Sequence, residues 1–209
     1  TQYLIVSSMK VAEDPATGAQ LDLNSRLIRA ADGSEIWSAD YRRPVSDVFE
    51  IQAEIVRGVA HSLGIPLQES ERSLLQARPT ESLEAYKAYL RGLPSRWSFE
   101  PGELEAAEKQ FARAVALDPE FALAHAALSE IHSQIFHFRY DRSPQRLADA
   151  VAAAHRALEI DPGLAQGHRA LGHYYYWGQR NFAEALSEFT IAVEDRPSDA
   201  LVVGSIGIV

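Results

Sequence analysis

Ala107-Glu108-Lys109-Gln110-Phe111-Ala112-Arg113-Ala114-Val115-Ala116-Leu117-Asp118-Pro119 decides how the rest of the chain is read. Its frame returns twice. Ala107, Phe111, Ala114 and Pro119 are matched by Ala150, Ala154, Ala157 and Pro162, then by Ala185, Phe189, Ala192 and Pro197. After each proline a second run opens, marked by Leu128-Ser129, Leu171-Gly172 and Ile206-Gly207. The prolines stand 43 and 35 residues apart. Apolar residues three and four apart predict helices. Proline lacks an N–H and clashes with the preceding turn, so each one ends a helix. The pattern predicts antiparallel helix pairs. Their alanines allow close approach, and Phe111 and Phe189 fill the gaps between pairs. One such pair cannot bury its own apolar face; stacked neighbours bury it together.

Three in-phase copies of a helical hairpin of roughly 34 residues resemble the tetratricopeptide repeat (TPR), from about Leu83 to the end. The 43-residue step lengthens one hairpin by about nine residues, in the stretch Gln134 to Pro144. Its aromatic residues, Phe136, Phe138 and Tyr140 among them, suit either a contact loop or a lid over the array's own core.

The TPR resemblance implies peptide binding on a concave side lined by the first helix of each pair. Helical phase then selects the residues facing it. They are Tyr86, Tyr89, Arg96 and Trp97 in the first pair, Glu130 and Gln134 in the second, and Arg169, His173, Tyr176 and Trp177 in the third. Aromatic and arginine side chains carry much of the energy of interfaces. The plainer alternative is that several of these rings pack between helices. A clamp for carboxylates is poorly served, since only Arg96 and Arg169 offer positive charge.

Upstream, Gln2 to Val11, Ala19 to Ala30 and Glu35 to Arg42 read as strands. Leu21, Leu23 and Leu27 alternate with Asp22, Asn24 and Arg26, the period of a half-buried sheet. Pro15-Ala16-Thr17-Gly18 and Asp32-Gly33 read as turns. Val48, Ile51, Ile55, Val59 and Leu63 form the apolar stripe of a following helix, closed by Gly64. The expected fold class is α+β: a three-stranded antiparallel sheet with one helix, then an all-α superhelical array. The expected divisions are 1–66, a linker helix at 67–82, and the array at 83–209.

Leu27 to Ser38, Tyr41-Arg42-Arg43 and Asp47 to Ile55 resemble the back half of a TolB-like α/β module. The junction Arg78 to Tyr86, followed by Tyr89-Leu90-Arg91-Gly92-Leu93-Pro94, resembles its link to tetratricopeptide repeats. That resemblance implies a bacterial signalling protein, such as a class III adenylate cyclase or a winged-helix transcription regulator. Neither output domain lies in these residues.

Composition narrows the function. A net charge of −9 opposes general nucleic-acid binding, which needs a basic stripe. It also opposes adhesion to anionic membranes. No apolar run approaches the roughly 20 residues of a membrane span. Without Cys there is no disulfide or thiolate chemistry. His132/His137 and His168/His173 are five apart, whereas helical metal pairs sit four apart, so no metal is expected. No phosphate loop or nucleophile elbow occurs, and no cofactor or catalytic residue is assigned. The chain opens Thr1-Gln2-Tyr3 without Met and closes on the apolar run Ala200 to Val209. It is therefore expected to be cut from a longer protein, and to associate as a homodimer through its termini. The functional expectation is a non-catalytic, cytoplasmic interaction module that binds a protein or peptide. The alternatives are a ligand-sensing region of a cyclase or transcription regulator, and a periplasmic location on a membrane-anchored one.

Overall fold

The computed structural model describes residues 2–14, 18–68, 71–72, 75 and 78–195. The expected turn at 15–17, positions 69–70, 73–74 and 76–77 of the expected linker helix, Pro197, Ile206-Gly207 and the terminal run Ala200 to Val209 lie outside the described residues. The chain divides into two units, Thr1–Arg78 and Pro79–Val209.

The first unit is an antiparallel meander, β1 (Tyr3–Asp14), β2 (Gly18–Arg29) and β3 (Glu35–Pro44), followed by α1 (Val48–Ser62). Asp32-Gly33 makes the β2–β3 turn: Gly33 takes φ 71°, and its N–H donates to the Arg29 carbonyl at 2.9 Å. The register sets Ser7 against Ser25, whose hydroxyls bond at 2.8 Å, and Leu23 against Tyr41. Alternation puts Leu21, Ser25 and Leu27 on the buried face of β2. Helix α1 covers β2 and β3, burying Ile51, Ala53 and Ala60. A Cβ on Gly58 would fall 2.7 Å from the Trp37 indole, so the helix rests directly on that ring. Of the expected apolar stripe only Ile51 is fully buried; Val48, Ile55, Val59 and Leu63 are half-covered. Gly64, at φ 67°, ends the helix. Strand β1 lies outside the helix's cover, and Leu4, Ile5, Met9 and Val11 are all more than half exposed.

The second unit is helical: α2 (Leu83–Gly92), α3 (Pro101–Leu117), α4 (Ala122–His137), α5 (Pro144–Ile160), α6 (Ala165–His173) and α7 (Phe182–Asp195). Ser82 caps α2, its hydroxyl accepting from the Ala85 N–H, and Ser143 caps α5 in the same way. Pro101 and Pro144 occupy first helical turns, where the missing N–H costs nothing. Helices pair α2 with α3, α4 with α5 and α6 with α7, and α4 also packs on α3 and α6. These are TPR-like repeats of antiparallel hairpins, and the fold class is α+β.

The repeat frame is written into the packing. Ala107, Phe111, Ala114, Ala150, Ala154, Ala157, Ala185, Phe189 and Ala192 are all buried. Pro119 and Pro162 fall at equivalent bends. Before each, an aspartate closes the turn: Asp118 Oδ1 accepts from the Glu120 N–H at 3.0 Å and Asp161 Oδ1 from the Gly163 N–H at 3.2 Å. After each, a histidine reaches back. His125 Nε2 lies 2.9 Å from the Pro119 carbonyl and His168 Nε2 lies 3.1 Å from that of Pro162. Small residues receive the large ones: a Cβ on Gly92 would sit 2.6 Å from the Phe111 ring, and on Gly172 2.4 Å from Phe189.

The lengthened hairpin departs from the reading at Gln134 to Pro144. Helix α4 runs on to His137, because Ile135 and Phe136 are apolar and bury on its inner side. Only Phe138 to Ser143 is left as connection. Phe138 packs on the Leu104–Phe111–Ile131 cluster, and the Tyr140 hydroxyl donates to the Phe99 carbonyl at 2.6 Å. The segment covers the array's own core.

Candidate partner-binding face

The inner faces of α4 and α6 carry buried polar residues, whereas most buried positions elsewhere in the array are apolar. Glu130 and Gln134 stand one turn apart on α4, and Arg169 and His173 one turn apart on α6. All four are buried. Arg169 Nε donates to Glu130 Oε1 at 2.7 Å, joining two successive hairpins. His173 Nδ1 lies 3.9 Å from the same oxygen. Among the described residues, Ser129 Oγ, Ser133 Oγ, both amide atoms of Gln134 and His173 Nδ1 are buried without a hydrogen-bond partner. Such groups each cost about 1–3 kcal/mol, an expense a purely structural core avoids by using apolar residues.

Aromatic rings close over this floor. Helix α6 continues as a π-helical turn, Tyr174–Gln179, whose wider winding carries Trp177 onto His173. The rings stack at 4.2 Å and 11°, and Trp177 also stacks on His137 at 5.3 Å. Trp97 meets His173 edge-on at 5.9 Å, with the Arg169 guanidinium 5.8 Å and the Arg96 guanidinium 5.5 Å from its centroid. π-Turns inside helices occur frequently at functional sites.

The residues selected by helical phase therefore divide. Arg96, Trp97, Glu130, Arg169, His173 and Trp177 form one continuous set, and Gln134 lies buried on the same helix as Glu130. Tyr86 and Tyr89 pack between helices, against Phe121 at 6.5 and 5.1 Å. Burial pushes the Tyr89 hydroxyl up to about 12, so it stays neutral. Tyr176 faces Phe182 at 5.5 Å and lines a cavity beside Trp177. His137, Arg139, Arg142 and Arg180 line that cavity too, and helical phase did not select them. The signal available for them was arginines gathered in short connections of an acidic chain.

Burial holds the His173 imidazolium down to about 4 from the ordinary 6.5; Glu130 opposes the shift and Arg169 reinforces it. The unfolded chain therefore takes up this proton first. The stability contributed by neutral His173 is level above about pH 6.5 and is lost as pH falls from there toward 4. At pH 5 the expected loss is about 2 kcal/mol, read as a lower urea midpoint than at pH 7. A pH dependence of the same size in His173→Gln would assign the effect to other groups.

Among the described residues no group of three His, Asp or Glu could hold a metal, and no helix is long and apolar enough to cross a membrane. No family model matches the chain. Over 180 residues, 86% of its length, it is 26% identical to the Rhizobium meliloti (strain 1021) protein named "Putative adenylate cyclase 3" and spans 30% of that protein. Among solved structures it resembles an O-GlcNAc transferase mutant from Thermobaculum terrenum (18% identical, 60% of this chain and 22% of that one, TM-score 0.48). It also resembles the first TPR of Spaghetti (RPAP3) bound to an HSP90 peptide (14% identical, 63% and 94%, TM-score 0.45). A third is the second TPR domain of human RPAP3 in complex with an HSP70 peptide (17% identical, 59% and 96%, TM-score 0.42). The helix pairing and the recurring turns at Pro119 and Pro162 define the repeats.

Proposed function

We propose that this chain is a non-catalytic interaction module, and that it binds a peptide or protein partner on the face built by the turn that follows α2, by α4, and by α6 with its π-helical turn. One observation carries the reading. The inner helices spend buried positions on Glu130, Gln134, Arg169 and His173 and roof them with Trp97 and Trp177, where an array made only for stability would continue in alanine and leucine. Trp97 remains 37% exposed at the edge of this set, a rigid amphipathic anchor for an incoming chain. The likeness to a cyclase-named protein supports a finer reading, in which the module regulates a signalling output attached to it.

The test is selection of peptides from a displayed library, followed by titration of the selected sequence into the whole chain. Trp97→Ala and Trp177→Ala are each expected to weaken binding tenfold or more, the behaviour of central aromatic anchors, with the helical circular dichroism retained. Undiminished binding in both variants places the partner elsewhere. Production of cyclic AMP from ATP by this chain alone would overturn the non-catalytic reading.

A further inference from the structure

Beside the stacked Trp177, at the C-terminal ends of α4 and of the π-helical turn, lies a cavity of about 310 Å³. Arg139, Arg142 and Arg180 line it, together with His137, Trp177 and Phe182. Among the described residues no carboxylate lines it, in a chain whose net charge is −9. Among the described residues none of the three arginines makes an ion pair; Arg142 lies over the Phe136 ring at 4.6 Å.

The backbone gives an independent sign. Among the described residues only two non-glycine positions have positive φ, and both are arginines of this cavity: Arg139 at 66° and Arg180 at 54°. Each ends a helical segment where glycine takes the left-handed conformation without steric cost. Strained backbone of this kind gathers at functional sites. The charges also exceed what the fold needs. Each helix C-terminus presents about half a negative charge. Two such ends answer about one of the three guanidinium charges and leave about two positive charges facing the cavity. His137 feels them, its imidazolium disfavoured first by burial and then by Arg142 and Arg180.

The geometry points to a binding site for a small phosphate dianion, either a phosphate monoester or free phosphate. Guanidinium forks match the oxygens of phosphate in pairs, which an ammonium does not. A cavity of this size is at the lower end of small-molecule sites, roughly 300–1,000 Å³. A bare phosphate, no larger than a few waters, would leave most of it open, whereas an ester can lay its organic body against Phe182, 52% exposed at the rim. This site goes beyond the peptide reading and is tested apart from it: a chain that selects no peptide can still bind phosphate, and the reverse.

Isothermal titration of the whole chain at fixed ionic strength, with phenyl phosphate, inorganic phosphate and benzoate, decides it. Phenyl phosphate is expected to bind below millimolar concentration and at least tenfold more tightly than benzoate. Inorganic phosphate binding as tightly as the ester would assign the site to the free ion. Arg139→Gly and Arg180→Gly keep the backbone conformation while removing the charge. Each is expected to weaken phosphate binding tenfold or more without lowering the melting temperature, and Arg142→Gln to weaken it comparably. No heat with either phosphate at millimolar concentration would overturn the proposal. So would benzoate binding as tightly as phenyl phosphate, or full affinity in the arginine variants.

Discussion

Replacing Arg169 with Met destabilises the helical array by about 3–5 kcal/mol, the cost of stranding one partner of a buried ion pair. Arg169 and Glu130 are each only 2% exposed, and the guanidinium donates to the carboxylate at 2.7 Å. With the arginine gone, the carboxylate keeps its charge without its counterion, or takes up a proton at a cost that grows with pH. The pair itself adds little net stability, because bringing both charges out of water offsets most of their attraction. The double variant Glu130→Gln with Arg169→Met is accordingly expected to recover most of the loss. Urea titration followed by the helical circular dichroism measures both. A loss below about 1 kcal/mol in the single variant, the size of an exposed pair, would show that water reaches these charges.

Leu171→Asp is the second large effect. Leu171 is 6% exposed within a cluster that includes Ala126, Ala154, Ala157 and Leu164, apolar residues that offer a carboxylate no partner. Burying an unpaired charge there costs several kcal/mol. The melting temperature of the helical signal is expected to fall by about 10 °C or more. Leu171→Met, which conserves volume, costs under about 1.5 kcal/mol and separates loss of packing from introduction of charge. An unchanged melting curve in Leu171→Asp would place this residue outside the core and move the repeat phase with it.

Much of the array was legible because its signals are local and recur. Alanines at fixed intervals and the prolines at 119 and 162 each reported one turn of one hairpin. Strand alternation in β2 and the glycine at position 33 were equally local. Other features depend on what closes over a residue. Helical phase put Glu130 and Arg169 on inner faces, but nothing in either helix says that the neighbouring hairpin seals them from water. The end of α4 was misplaced for a related reason: Gln134 to His137 contains polar residues and reads as a loop, yet Ile135 and Phe136 gain enough burial to keep the helix going. The π-helical turn has no periodicity of its own, so nothing in Tyr174 to Gln179 announces the wider winding. Arg139 and Arg180 were hidden by their residue type, since positive φ is read from Gly or Asn.

The ring stack at His173 gives the molecule an optical reporter of its own. Two indoles of this unit, Trp97 and Trp177, touch one imidazole, whereas Trp37 lies under Gly58 in the other unit. Imidazolium quenches indole emission far more strongly than the neutral ring does. Fluorescence from Trp97 and Trp177 therefore follows the protonation and the separation of these rings directly, with no dye attached.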